Sequence, residues 1–137
     1  MRSQDIRKIA PEMDPLRIGM GWKVEDLSKV QIMIESTYGD SHPGSAHLYE
    51  LVLEAEKGIN ESCGKAAKYF TTDICDGQAQ GHDGINYSLA HRDMICAMAE
   101  IHANATPFDG AVYVGGSKPP PYKMFSLRRG GYYPPAL

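Results

Sequence analysis

Residues 30–64 read VQIMIESTYGDSHPGSAHLYELVLEAEKGINESCG, and their hydrophobic period changes once. Val30-Gln31-Ile32-Met33-Ile34 is a short apolar run that stops at the polar, glycine-containing stretch from Ser36 to Ser45, as a buried strand followed by a loop does. From Ala46 the apolar residues return at spacings of three and four, as Leu48, Leu51, Val52, Ala55 and Ile59. Pro43-Gly44-Ser45 precedes them, and Ser45 can cap the first turn. The pattern predicts an amphipathic helix ending near Gly64.

The alternation continues towards the carboxyl end. Lys68 to Ile74, rich in aromatic and β-branched residues, predicts a second strand, and a glycine-rich loop from Cys75 to Gly84 follows it. Met94, Ile95, Met98 and Ile101 mark one face of a helix over Ser88 to Ala105, and Gly110-Ala111-Val112-Tyr113-Val114 predicts a third strand. Strands alternating with helices imply an α/β fold of βαβαβ order with a parallel sheet, whose ligand crevice lies at the carboxyl ends of the strands. Residues 1–29 form a lead segment. There Pro11, Pro15 and Gly19-Met20-Gly21 argue against one long helix, and Val24 to Leu27 suit a single turn under a packed Trp22.

The chain of 137 residues, 42% hydrophobic and 23% charged, suits one soluble globular domain with a single core. Fourteen Lys and Arg against 17 Asp and Glu give a net charge of -3, which excludes a nucleic-acid footprint spread over the whole chain. No apolar run reaches the ~20 residues of a membrane span, and the mixed charges of the first twenty residues do not make a signal peptide. A cytoplasmic protein is expected. Three cysteines without a CxxC pair fit a reducing compartment and exclude a disulfide scaffold, with Cys63 and Cys96 expected as small buried side chains. From Ser117 to Leu137 there are four basic residues, no acidic ones and five prolines. This break sets the folded α/β unit at 30–116 and leaves 117–137 as a basic, Pro/Tyr/Gly-rich disordered tail.

Several residues could carry chemistry. Asp76 follows the second strand and precedes a glycine, a setting in which a carboxylate can meet Mg2+; the same Asp-Gly pair also reads as an ordinary turn. Gly77, Gly81 and Gly84 could offer backbone N–H groups to an anion, but they form neither GxGxxG nor a Walker A loop. Asp40, His42 and His47 match no zinc spacing, and His47 reads as a surface or capping residue. Cys75, beside a carboxylate, is a poor nucleophile.

Three blocks then combine: Ser36-Thr37-Tyr38-Gly39-Asp40-Ser41-His42-Pro43-Gly44-Ser45-Ala46-His47-Leu48, then Cys75-Asp76-Gly77 through Gly81-His82-Asp83-Gly84, Tyr87-Ser88-Leu89 and Arg92, then Phe108-Asp109-Gly110. In this order and at these separations they resemble the amino-terminal part of the dihydroxy-acid dehydratase and phosphogluconate dehydratase family, from about residue 2 to Gly116. The resemblance implies a hydro-lyase that converts a 2,3-dihydroxy acid or a sugar acid to a 2-keto acid. It also implies an iron–sulfur cluster as Lewis acid, a Mg2+ that holds the substrate, and assembly into homo-oligomers.

Carried over by residue, Asp76 takes a Mg2+ ligand position, and Gly44 stands where many members have the first cluster cysteine. The family's Cys-Asp-Lys after the third strand is missing. Ser117-Lys118 stands near it, Ser117 at the cluster-cysteine position and Lys118 as the remnant of the carbamylated lysine that binds Mg2+. The later cluster cysteine, last Mg2+ ligand and catalytic serine have no counterpart, so no catalytic residue is assigned in this chain. The resemblance implies a truncated fragment, inactive alone, whose substrate, a branched-chain precursor or an aldonic acid, is set by residues beyond 137. Two other readings stand beside it: a small α/β binding or interaction protein without catalysis, and a truncated product without selected function.

Overall fold

In a computed structural model describing residues 1–116, three parallel strands carry the apolar runs: β1 (Val30–Ser36), β2 (Gly64–Phe70) and β3 (Gly110–Val114), in the order β2-β1-β3. The fold is α/β, as the alternating pattern predicts. Pairing runs from Val30↔Gly64 to Ser36↔Phe70 on one side of β1, and from Ile32↔Gly110 to Ser36↔Val114 on the other. Two-residue periodicity sends alternate side chains to opposite faces. One face packs Ile34 and Ala66 against Val52 of the helix α3 (Leu48–Glu61). The other packs Met33 and Phe108 against Ala103 of a later helix (Ser88–Ala105).

The second strand lies four residues before its predicted place, at Gly64–Phe70 instead of Lys68–Ile74. Pairing with β1 outweighs the weak strand propensity of Ala66-Ala67, and these small side chains sit close under the helices. After Phe70 the chain makes one more bond, from the Thr71 N–H to the Ser36 carbonyl at 2.9 Å, and then turns so that Asp73 is buried. The start of α3 also differs. Ser45 does not cap it, because its hydroxyl is committed to Asp73; the helix begins at Leu48 with His47 at the cap position. At the other end Cys63, at φ 62°, takes the left-handed conformation that stops the helix, and it is exposed, not buried.

Beyond β2 lie the four-residue helix α4 (Asp76–Ala79), a 3-10 turn (Asp83–Tyr87) and α5 (Ser88–Ala105). The limits of α5 are as predicted, but its buried face is not. Ile95, Ala99 and Ala103 are buried, with Ala103 packed against Met33 and Phe108, while Met94 and Ile101 are exposed. Cys96 is half-buried.

The lead segment contains two short helices, α1 (Arg2–Ile9) and α2 (Met13–Gly19), then the single turn Val24–Ser28 beside a buried Trp22. It is bonded to the sheet unit. Ser3 gives its N–H and its hydroxyl to Asp109 at 2.9 and 2.6 Å, and Arg2 donates to the Ala103 carbonyl at 2.9 Å. Lys29, the Lys23 N–H and Lys65 hold the buried Asp26 carboxyl well below the usual carboxylate range, tying the turn to β2. The expected tail, with Ser117 and Lys118, lies outside the described residues.

Candidate functional site

Parallel strands deliver their following loops to one edge of a sheet. Here residues 37–47 follow β1, residues 71–87 follow β2, and residues 115–116 follow β3. The edge is held together by polar groups. Asp73 is 1% exposed, and its two carboxylate oxygens accept from the Ser41 hydroxyl at 2.9 Å and the Ser45 hydroxyl at 2.6 Å. One carboxylate therefore fixes the loop after β2 to the loop after β1. Thr72 adds a bond from its hydroxyl to the Tyr38 carbonyl at 2.9 Å. The Thr37 N–H donates to the Val114 carbonyl at 3.2 Å, drawing in the third loop.

Asp76 belongs to the segment after β2, half-buried at the start of α4, where its carboxylate accepts from the Ser88 hydroxyl. It lies six residues beyond the end of β2, not at the strand end that the sequence suggests. A carboxylate steadied by a hydroxyl is a hard oxygen donor suited to Mg2+, and among the described residues no three His, Cys, Asp or Glu side chains gather to complete a metal shell.

Gly44 lies against the end of the third strand. A Cβ on Gly116 would sit 2.4 Å from the Gly44 carbonyl oxygen and 2.8 Å from the Ser45 hydroxyl, so the loops can meet this closely only with glycine at 116. The two positions that the resemblance pairs, Gly44 and the residues after β3, thus converge in space. Both glycines bring backbone alone. The thiols are dispersed: Cys63 is exposed beside the start of β2, Cys75 is half-buried at the cap of α4, and Cys96 lies within α5.

The remaining candidates have structural work. His42 accepts the Gly44 N–H at 2.7 Å, and His82 accepts the Gly84 N–H at 3.0 Å, so Gly84 has no N–H to give an anion. Gly81, at φ +85°, serves the turn. Asp40 and His47 are exposed. Three features escaped the sequence reading. Asp73 falls within the predicted second strand, the Ser88 contact joins residues twelve apart, and Glu35 is wholly buried, bonded to the Thr71 hydroxyl at 2.7 Å and to His102 Nδ1 at 2.8 Å. An acid inside an apolar strand was the available signal for Glu35 and Asp73, since buried carboxylates need partners.

Residues 29–118 match the family model described as dihydroxy-acid/6-phosphogluconate dehydratase, N-terminal. Among similar proteins are the dihydroxy-acid dehydratases of Vesicomyosocius okutanii, 39% identical over 71% of this chain and 18% of that protein, and Dehalococcoides mccartyi strain CBDB1, 34% identical over 83% and 21%. The dihydroxy-acid dehydratase of Methanothermobacter thermautotrophicus is 41% identical over 64% of this chain and 16% of its own length. The chain spans about a fifth of the length of these relatives.

Proposed function

The chain belongs to the dihydroxy-acid/6-phosphogluconate dehydratase family, and from that premise we propose that it forms the metal-binding part of a hydro-lyase site, for dehydration of a 2,3-dihydroxy acid or a sugar acid to a 2-keto acid. The observation that supports this reading is the placement of Asp76: half-buried, bonded by Ser88, in the loop that follows β2. Asp76 would contribute its carboxylate to Mg2+. Bound there, Mg2+ would supply positive charge to substrate oxygens and to the enolate that develops as the C2 proton leaves.

The chain's own residues orient and hold. Ser88 limits the rotation of the Asp76 carboxylate, and Asp73 keeps the loops on either side of the crevice at a fixed separation. The described residues do not fit an iron–sulfur cluster, since the thiols are dispersed and Gly44 offers no sulfur. Lys118 as a second metal ligand belongs to the same proposal and lies outside the described residues. Assembly into homo-oligomers and a cytoplasmic location complete it; among the described residues no helix is long and apolar enough to cross a membrane.

Titration of the full chain with Mg2+, followed by amide chemical shifts, tests the metal assignment. With one protein carboxylate the affinity is expected on the order of millimolar, and Asp76→Asn should abolish the saturable shifts at residues 75–77 without disturbing the strands. Unchanged shifts in that variant would return Asp76-Gly77 to the role of a turn. A second outcome is expected from anaerobic incubation with iron and sulfide: no visible cluster absorbance. A stable brown species with bound sulfide would show that these cysteines can assemble a cluster.

A further inference from the structure

Arg17, near the end of α2, is 3% exposed, and neither of its terminal nitrogens has a hydrogen-bond partner. Its guanidinium lies 4.2 Å from the centre of the Trp22 ring and 5.3 Å from that of Phe108. Aromatic faces attract a cation but do not replace the carboxylate that a buried guanidinium needs, and burial pushes the Arg17 pKa down. Three acids of this region are committed to other cations. Asp14 holds Arg7 at 2.6 Å, Asp26 holds Lys65 at 3.1 Å, and Glu56 holds Lys68.

Arg17 also lines a half-open cavity of about 440 Å³ beside β2, with Trp22, Glu56, Lys65, Lys68 and Tyr69. Lys68 pairs with Glu56, and Lys65 shares Asp26 with Lys29, so the groups around the cavity, Arg17 included, carry positive charge in excess of their acids. The volume suits a small molecule, and the lining combines aromatic surface with a few charged groups, as ligand sites do. None of the residues of the three convergent loops takes part.

We propose that this cavity is a second binding site, for a small carboxylate- or phosphate-bearing molecule whose oxyanion pairs with Arg17. Arginine is suited to this because its planar fork meets two oxygens at once. Lys65 and Lys68 add favourable field at the rim.

Trp22 is the chain's single tryptophan, so its fluorescence reports on the cavity. The full chain is titrated with sodium malonate and with inorganic phosphate at constant ionic strength, against sodium chloride. A saturable change in emission with either oxyanion and none with chloride is expected. Arg17→Met should remove the saturable phase, and Lys68→Gln, which leaves the guanidinium in place, should raise the Kd about threefold. An identical response to chloride, or a saturable phase that survives both substitutions, would overturn the proposal. So would a concentration-dependent dimer that Arg17→Met dissociates, since the counter-charge would then come from a second copy. Asp76→Asn should leave this titration unchanged, which separates the cavity from the metal proposal.

Discussion

Asp73→Ala is expected to destabilise the folded chain by about 3 kcal/mol, lowering its midpoint of thermal unfolding by roughly 10 °C. The carboxylate is buried and both oxygens accept hydroxyl protons, so its removal costs two bonds and leaves the wholly buried Ser45 hydroxyl without an acceptor. A net figure near 3 kcal/mol already allows for the relief of no longer burying a carboxylate, which offsets part of the loss. Asp73→Asn keeps one acceptor oxygen and the side-chain volume, and should lose about half as much. Denaturant unfolding of the three proteins measures this directly. A loss below 1 kcal/mol for the alanine variant would mean that the loops after β1 and β2 are held by something else.

Phe108→Ala should have a larger effect, about 4 kcal/mol. Phe108 is 1% exposed where the lead segment, β1 and α5 meet. It packs against Met33 and Ala103, meets Tyr69 edge-on at 5.7 Å, and lies under the Arg17 guanidinium. A truncated ring leaves a cavity that the alanines of α5 cannot refill, because their side chains end at Cβ. Hydrogen exchange should show the loss spreading to β1 and α5. The exposed Val24→Ala is a fair control and should change stability by less than about 0.5 kcal/mol. A Phe108→Ala protein within 1 kcal/mol of the parent would show that this face of the sheet is not the packed core described here.

The sequence carries much of this fold in its periodicities. β1 and β3 are carried by short runs rich in apolar residues, Ile32-Met33-Ile34 and Ala111-Val112-Tyr113-Val114, of the kind parallel strands covered by helices produce. α5 is long, and its apolar residues from Met94 to Ile101 announce it. β2 is misplaced because Ala66-Ala67 signals no strand by itself; its register comes from pairing with β1, a contact over thirty residues away in sequence. The buried stripe of α5 differs from the predicted one for a related reason. Which face turns inward is settled by contacts distant in sequence, such as Ala103 with Met33.

The site was legible where local spacing encodes it. Asp76 before Gly77 is visible as a short motif, and the structure places it at a helix start and not at a strand end. Asp73 was hidden because its meaning lies in two hydroxyls about thirty residues upstream. The approach of Gly44 to Gly116 likewise depends on the third strand closing against the first loop, which no local pattern states.

The most direct measurement of the metal account is paramagnetic mapping with Mn2+, which replaces Mg2+ at oxygen sites and broadens nearby amide resonances. At low Mn2+ the account predicts selective broadening at residues 75–77 and Ser88, extending to Gly44 and Ser45 across the crevice, with Trp22 and residues 64–67 sharp. Asp76→Asn should remove that pattern. Broadening centred on Asp83 or Asp93 instead, or spread evenly over the exposed acids and unchanged by Asp76→Asn, would contradict it.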